Sequence, residues 1–192
     1  MDQKKPVAEA DVPSLTPPKN MLDDDWSRRL IGEWETTAES DVGQFKNWAK
    51  GRGRMTVEPG LGGQFLIRKM KGRATEISDE YVQYLRESRH TSEEEIAKLR
   101  ELPFENLELH TLDPATGRIV AYLFDSWRCV AKGTGTRSGD TETIEWEWSV
   151  AGRGTSVRTT DGVGDDRLAV VERYTLPDGV VMEDRVQMTR VR

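Results

Sequence analysis

Along most of this chain, about nine or ten short runs of alternating residues follow one another, each bounded by turn residues, and no other feature constrains the fold so strongly. They cover residues 33–40, 51–58, 64–72, 105–112, 118–127, 129–136, 141–149, 155–161, 167–175 and 180–191. Asp113-Pro114-Ala115-Thr116-Gly117, Ser138-Gly139-Asp140 and Pro177-Asp178-Gly179 provide turns, because Asp, Pro and Gly each favour a backbone geometry that reverses the chain. Strands joined this closely form an antiparallel meander. A meander of this length leaves exposed edges unless it closes, so the expected fold is mainly β: an antiparallel up-and-down barrel.

Two helical stretches interrupt the pattern. Leu22, Trp26 and Leu30 recur at helical spacing, with Asp23 to Asp25 early and Arg28 and Arg29 late, an order that complements the helix dipole; Gly32 ends this short helix. A second interruption, at about residues 75–103, predicts two helices carrying Tyr81, Val82 and Leu85, then Ile96, Leu99 and Leu102. Ser92 and Glu95 have capping-box spacing, and Pro103 closes the insert. Residues 1–20 hold four of the eight prolines and no periodic apolar face, so they are expected to be a disordered tail preceding one domain over 21–192.

Composition narrows the function classes. With 35% apolar and 32% charged residues and no apolar run near the roughly 20 residues of a membrane span, the chain is expected to be soluble and without a membrane partner. With no basic-then-apolar leader at its start the chain is expected in the cytoplasm, and the single Cys129 fits a reducing compartment. A net charge of -6 with scattered Lys and Arg argues against nucleic acid. The densest basic run, Arg68-Lys69-Met70-Lys71-Gly72-Arg73, reads as a solvated strand end.

The order of motifs resembles the calycin-type barrels, the lipocalins and fatty-acid-binding proteins. More narrowly, it is similar to an uncharacterised bacterial domain-of-unknown-function family with a Leu-x-Gly-x-Trp start. Leu30, Gly32 and Trp34 match that start, Gly62, Gly63, Phe65 and Leu66 the third strand, Asp113, Thr116 and Gly117 the hairpin, and Asp125 and Ser126 the pattern after it. Leu112 replaces the usual Tyr and Leu123 the usual Trp. The resemblance implies a small-molecule cavity and a structural pair, Trp34 plugging one end beneath Arg190, a cation–π contact of about 1 kcal/mol.

Within such a barrel, alternation puts Ile144, Trp146 and Trp148 on one face of a strand and Glu145 and Glu147 on the other. Tryptophans inside would fill the barrel or wall a ligand; carboxylates inside could act as acid and base, and the simpler reading leaves them in water. His110 shares a face with Asn106, Glu108 and Leu112; it could serve as a base, although a strand histidine more commonly faces solvent. Asp125 falls in phase with apolar residues, which calls for a partner such as Arg54, Arg158 or Arg173, or for a role in the turn.

The expected function is therefore binding of a small, partly apolar or aromatic molecule by Tyr122, Asp125, Trp127, Trp146 and Trp148. The alternatives are a cofactor-independent cyclase, isomerase or decarboxylase using His110 or the Glu145/Glu147 pair, and an interaction module working through the insert, which could also join two copies as a homodimer. Two histidines and one cysteine make a dedicated metal site improbable, and no histidine follows His110 to ligate haem, so no cofactor is expected.

Overall fold

A computed structural model describes residues 20–21, 24–101, 103–150 and 152–192. The expected tail at 1–20 lies outside them except for Asn20, whose side chain donates to the Gly62 carbonyl at 2.9 Å. A short helix α1 (Asp25–Leu30) leads into β1 (Gly32–Val42), β2 (Phe45–Gly60) and β3 (Phe65–Ile77). Helices α2 (Asp79–Ser88) and α3 (Glu93–Glu101) follow, then β4 (Pro103–Leu112), β5 (Ile119–Asp125), β6 (Val130–Ser138), β7 (Thr141–Val150), β8 (Gly152–Gly162), β9 (Arg167–Thr175) and β10 (Val181–Arg190). Each strand pairs antiparallel with its neighbour in sequence, and β10 returns to β1, giving the closed up-and-down barrel. Closure leaves no unpaired edge.

The second strand begins at Phe45 rather than at residue 51, because a tight hairpin after Val42 pairs residues whose polar pattern does not alternate. Where β2 and β3 pair at Gly53 and Gly72, Gly53 allows a close approach: a Cβ there would lie 2.4 Å from the Lys71 carbonyl oxygen and 2.9 Å from Gly72 Cα.

Helix α1 closes one end. Asp24 caps it by accepting from the Trp26 amide at 3.1 Å, and Trp26 and Leu30 pack with Met21, Trp34, Val57, Leu66, Leu168 and Met188. The expected plug pair forms. Arg190 stands 4.3 Å over the Trp34 ring and donates to the carbonyls of Ile31, at 2.6 Å, and Arg29, while Trp34 Nε1 donates to the Leu30 carbonyl at 2.8 Å. Gly32 explains the spacing of the motif: its φ is 132°, and a Cβ would meet Arg190 Nη1 at 2.6 Å.

The insert sits at the opposite end. Ser78 caps α2, the Ser92–Glu95 capping box forms before α3, and Val82, Leu85 and Ile96 pack against Ile77 with Trp48, Ala74, Tyr81, Tyr84 and Leu99 around them. Phe45 meets Tyr81 edge to face at 5.3 Å. The apolar side of the insert is therefore covered by the chain's own β2 and β3, over one corner of the open end. No helix among the described residues is long and apolar enough to cross a membrane.

Candidate functional site

The lumen has a charged half and a solvent-touched half. In the half nearer α1, salt bridges cross the barrel. Glu142 on β7 receives Arg68 from β3 at 2.9 Å, Arg137 at 3.0 Å and Trp26 Nε1 at 3.2 Å. Deeper in, Arg158 on β8 grips Glu108 on β4 through two 2.7 Å hydrogen bonds, a bidentate fork that holds both planes. His110 Nε2 lies 2.8 Å from the same carboxylate.

Electrostatics fix the protonation of this cluster. Burial pushes Glu108 and Glu142 up, but the surrounding arginines and His110 outweigh it, holding Glu108 well below the usual carboxylate range and Glu142 at about 2. Burial and the nearby Arg68 charge lower His110, so its ring is neutral at pH 7. An ionised Glu108 can only accept, so Nε2 carries the proton and Nδ1 is left with a lone pair that meets no protein donor. His110 itself is 0% exposed. The expectation of a solvent-facing histidine is corrected: β4 turns His110 and Glu108 inward and leaves Leu107 and Leu109 half-buried on the outer face.

Toward the open end, several inward residues keep accessible surface. Met70, Tyr174 and Asp184 are half-buried although strand phase points them into the barrel, as is Trp148 across from them, while Met55, Val170 and Val186, also half-buried, pack against the plug cluster. Opposite lies a sealed wall of Ile119, Ala121, Leu123, Ala131, Ile144 and Trp146. Gly133 and Gly135 make room for it, since a Cβ on Gly133 would lie 2.8 Å from the Trp146 ring. Trp148 Nε1 donates to Ser156 at 2.7 Å, and Ser156 donates to Glu172 at 2.6 Å; Ser40 donates to Asp184 at 2.6 Å. Burial raises the pKa of Glu172, Asp184 and Tyr174.

The sequence-derived candidates separate accordingly. Trp146 and Trp148 enter the lumen with ring centroids 6.4 Å apart. Tyr122 and Trp127 do not: they are 39% and 58% exposed, Tyr122 because it is out of phase with the inward residues of β5 and Trp127 because it sits on the turn after that strand. Asp125 is a turn residue, its Oδ1 accepting from the amides of Trp127 and Cys129 at 2.8 Å each. None of the three arginines considered for it is its partner: Arg54 bonds Glu35, Arg173 bonds Glu183 and Arg158 bonds Glu108. Glu145 and Glu147 are exposed on the outer face, which removes that pair as an acid–base device inside the barrel. Arg68, read as part of a solvated run, is 5% exposed and faces the lumen. Arg68, Glu108, Glu142, Glu172 and Asp184 were missed as site residues because charge was taken to mark the outside; in-phase charges on opposed strands were the signal available.

The opposite pKa directions predict opposite pH effects. Glu142 is depressed in the fold, so its stabilisation is present above the usual carboxylate pKa and is lost as pH falls toward about 2. Glu172 is raised, so its favourable contribution is present below the unfolded pKa and is lost as pH rises through the folded one. Thermal melts should therefore show Glu172→Gln gaining on the parent protein as pH rises from 4 toward 8 (approximate limits of the carboxylate window); parallel curves would contradict the assignment.

No family model and no curated protein sequence matches the chain. Among solved structures, it is similar to an S-type phycobiliprotein lyase from Guillardia theta at 11% identity and a TM-score of 0.54, covering 91% of this chain and 94% of that one. A de novo designed fluorescence-activating β-barrel aligns at 12% identity and a TM-score of 0.42, covering 88% and 99%. A protein of unknown function from the DUF3598 family of Nostoc punctiforme aligns at 11% and 0.30, covering 88% and 99%. At such identities the likeness concerns the fold alone, a closed ten-stranded antiparallel barrel.

Proposed function

We propose that the barrel binds a small, partly apolar or aromatic molecule in the open half of its lumen. One observation carries this reading: Met70, Trp148 and Tyr174 point inward yet keep accessible surface, which supports room for a ligand against them. A concave, mostly apolar wall with a few fixed polar groups is the common form of a small-molecule site. Trp148, tethered by Ser156 and tilted at 5.8 Å from Tyr174, offers a rigid aromatic face.

Native mass spectrometry of the purified full chain tests the reading, with a retained small molecule or uptake of an apolar fluorescent probe expected. Trp148→Ala should weaken probe binding by about tenfold, an aromatic face contributing on the order of 1 kcal/mol or more, whereas Trp127→Ala and Tyr122→Ala on the outer surface should leave it unchanged. Equal loss from Trp127→Ala would move the site to the outer face. A clean apo mass with no probe uptake would end the proposal.

A further inference from the structure

The two carboxyl groups on the open side of the lumen differ from the others inside the barrel. Glu108 and Glu142 are matched by arginines, whereas Glu172 and Asp184 accept from Ser156 and Ser40, lie by the Tyr174 hydroxyl, and join no salt bridge among the described residues. They are direct cross-strand partners on β9 and β10, so their side chains leave the sheet side by side. Glu172 is 8% exposed, and its Oε1 accepts from Ser156. The Trp148 ring is fixed beside it through that same serine, and the Tyr174 ring stands 5.8 Å from Trp148.

A second observation is independent of the carboxylates. The indole of Trp146, 1% exposed and projecting into the same lumen 6.4 Å from the Trp148 ring, has an Nε1 donor without a protein partner. A buried donor left unpaired is costly, and a ligand carrying an acceptor would satisfy it. Adjacent carboxylates in a low-dielectric wall repel each other, and either a proton or a cation between them relieves the repulsion. Aromatic faces attract organic cations and do not ligate metal ions, and no group of His, Cys, Asp and Glu among the described residues could hold a metal.

We propose that the lumen selects a protonated amine borne on a flat apolar body with a polar far end, the ammonium lodging between Glu172 and Asp184 and the body lying against Trp148 and Tyr174. This rests on the lumen-binding reading above and names the ligand class for it. An anion of the same shape would meet two carboxylates, and a neutral molecule would leave them unpaired.

Three probes of similar shape and different charge test this on the full chain by titration of tryptophan fluorescence: tyramine, para-ethylphenol and para-hydroxyphenylpropionate. Tyramine should bind about tenfold tighter than para-ethylphenol, with the propionate weakest. Glu172→Gln and Asp184→Asn should each reduce the preference for tyramine severalfold while leaving para-ethylphenol affinity unchanged. If either variant melts before it can be titrated, the order of the three probes on the parent protein decides alone. Equal or tighter binding of the neutral or anionic probe overturns the amine assignment and leaves lumen binding standing. Failure of all three to bind overturns both.

Discussion

Replacing Glu108 with alanine is expected to destabilise the barrel by roughly 3–5 kcal/mol, the usual result of stranding one member of a buried ion pair. The Arg158 guanidinium would lose both 2.7 Å bonds and remain buried across the lumen, stacked at 4.8 Å on Trp146, while His110 Nε2 would lose its only acceptor. That is a large share of the roughly 5–15 kcal/mol that holds a domain together. Removing both charges behaves differently. In the double variant Glu108→Leu with Arg158→Met, no charge is left without a partner, and most of the loss should be recovered. Guanidinium unfolding midpoints of the parent, single and double variants measure both effects. A loss below about 1 kcal/mol in the single variant would mean that water reaches the pair, since only hydrated ion pairs are so weak.

Trp34→Ala should cost a similar amount, about 3–5 kcal/mol, through the cavity left by a large buried ring. Trp34 is 0% exposed at the centre of the plug, between α1 and the Arg190 side chain. Its loss removes the packing of Leu30, Val57 and Met188 and the hydrogen bond to the Leu30 carbonyl. Trp34→Phe keeps an aromatic face for Arg190 and should lose only about 1–3 kcal/mol, chiefly from the carbonyl left without its donor. Thermal unfolding followed by near-ultraviolet circular dichroism separates the two, and equal melting temperatures for both variants would contradict this division.

The two halves of the lumen therefore have different physical roles. The half near α1 is a cross-braced interior in which charges replace hydrocarbon: Glu142 ties α1, β3, β6 and β7 together through Trp26, Arg68 and Arg137. The open half combines aromatic and aliphatic surface with carboxyls that accept from serines and join no salt bridge among the described residues. A ligand entering there would not disturb the ion pairs that brace the barrel.

Local chemistry made much of this visible. Asp113 accepts from the amides of Ala115 and Thr116 in the hairpin where a turn was expected. The Gly-x-Trp motif carries its own reasons, since Gly32 makes room for Arg190 and Trp34 receives it. Alternation placed Trp146 and Trp148 on one face and Glu145 and Glu147 on the other, which is their arrangement in the barrel.

Alternation could not say which face of β4 was inside. Leu107 and Leu109 on one side and Glu108 and His110 on the other would ordinarily send the leucines inward. The opposite holds because Arg158, 50 residues further along the chain, meets Glu108 across the lumen, and Arg68 meets Glu142, 74 residues away, in the same way. Turn signals and side-chain periodicity are properties of a few adjacent residues, so the amino-acid sequence by itself determined the strands, their order and the plug. Which charges are inside depends on partners that only closure of the sheet brings together, and that was decided by the tertiary structure.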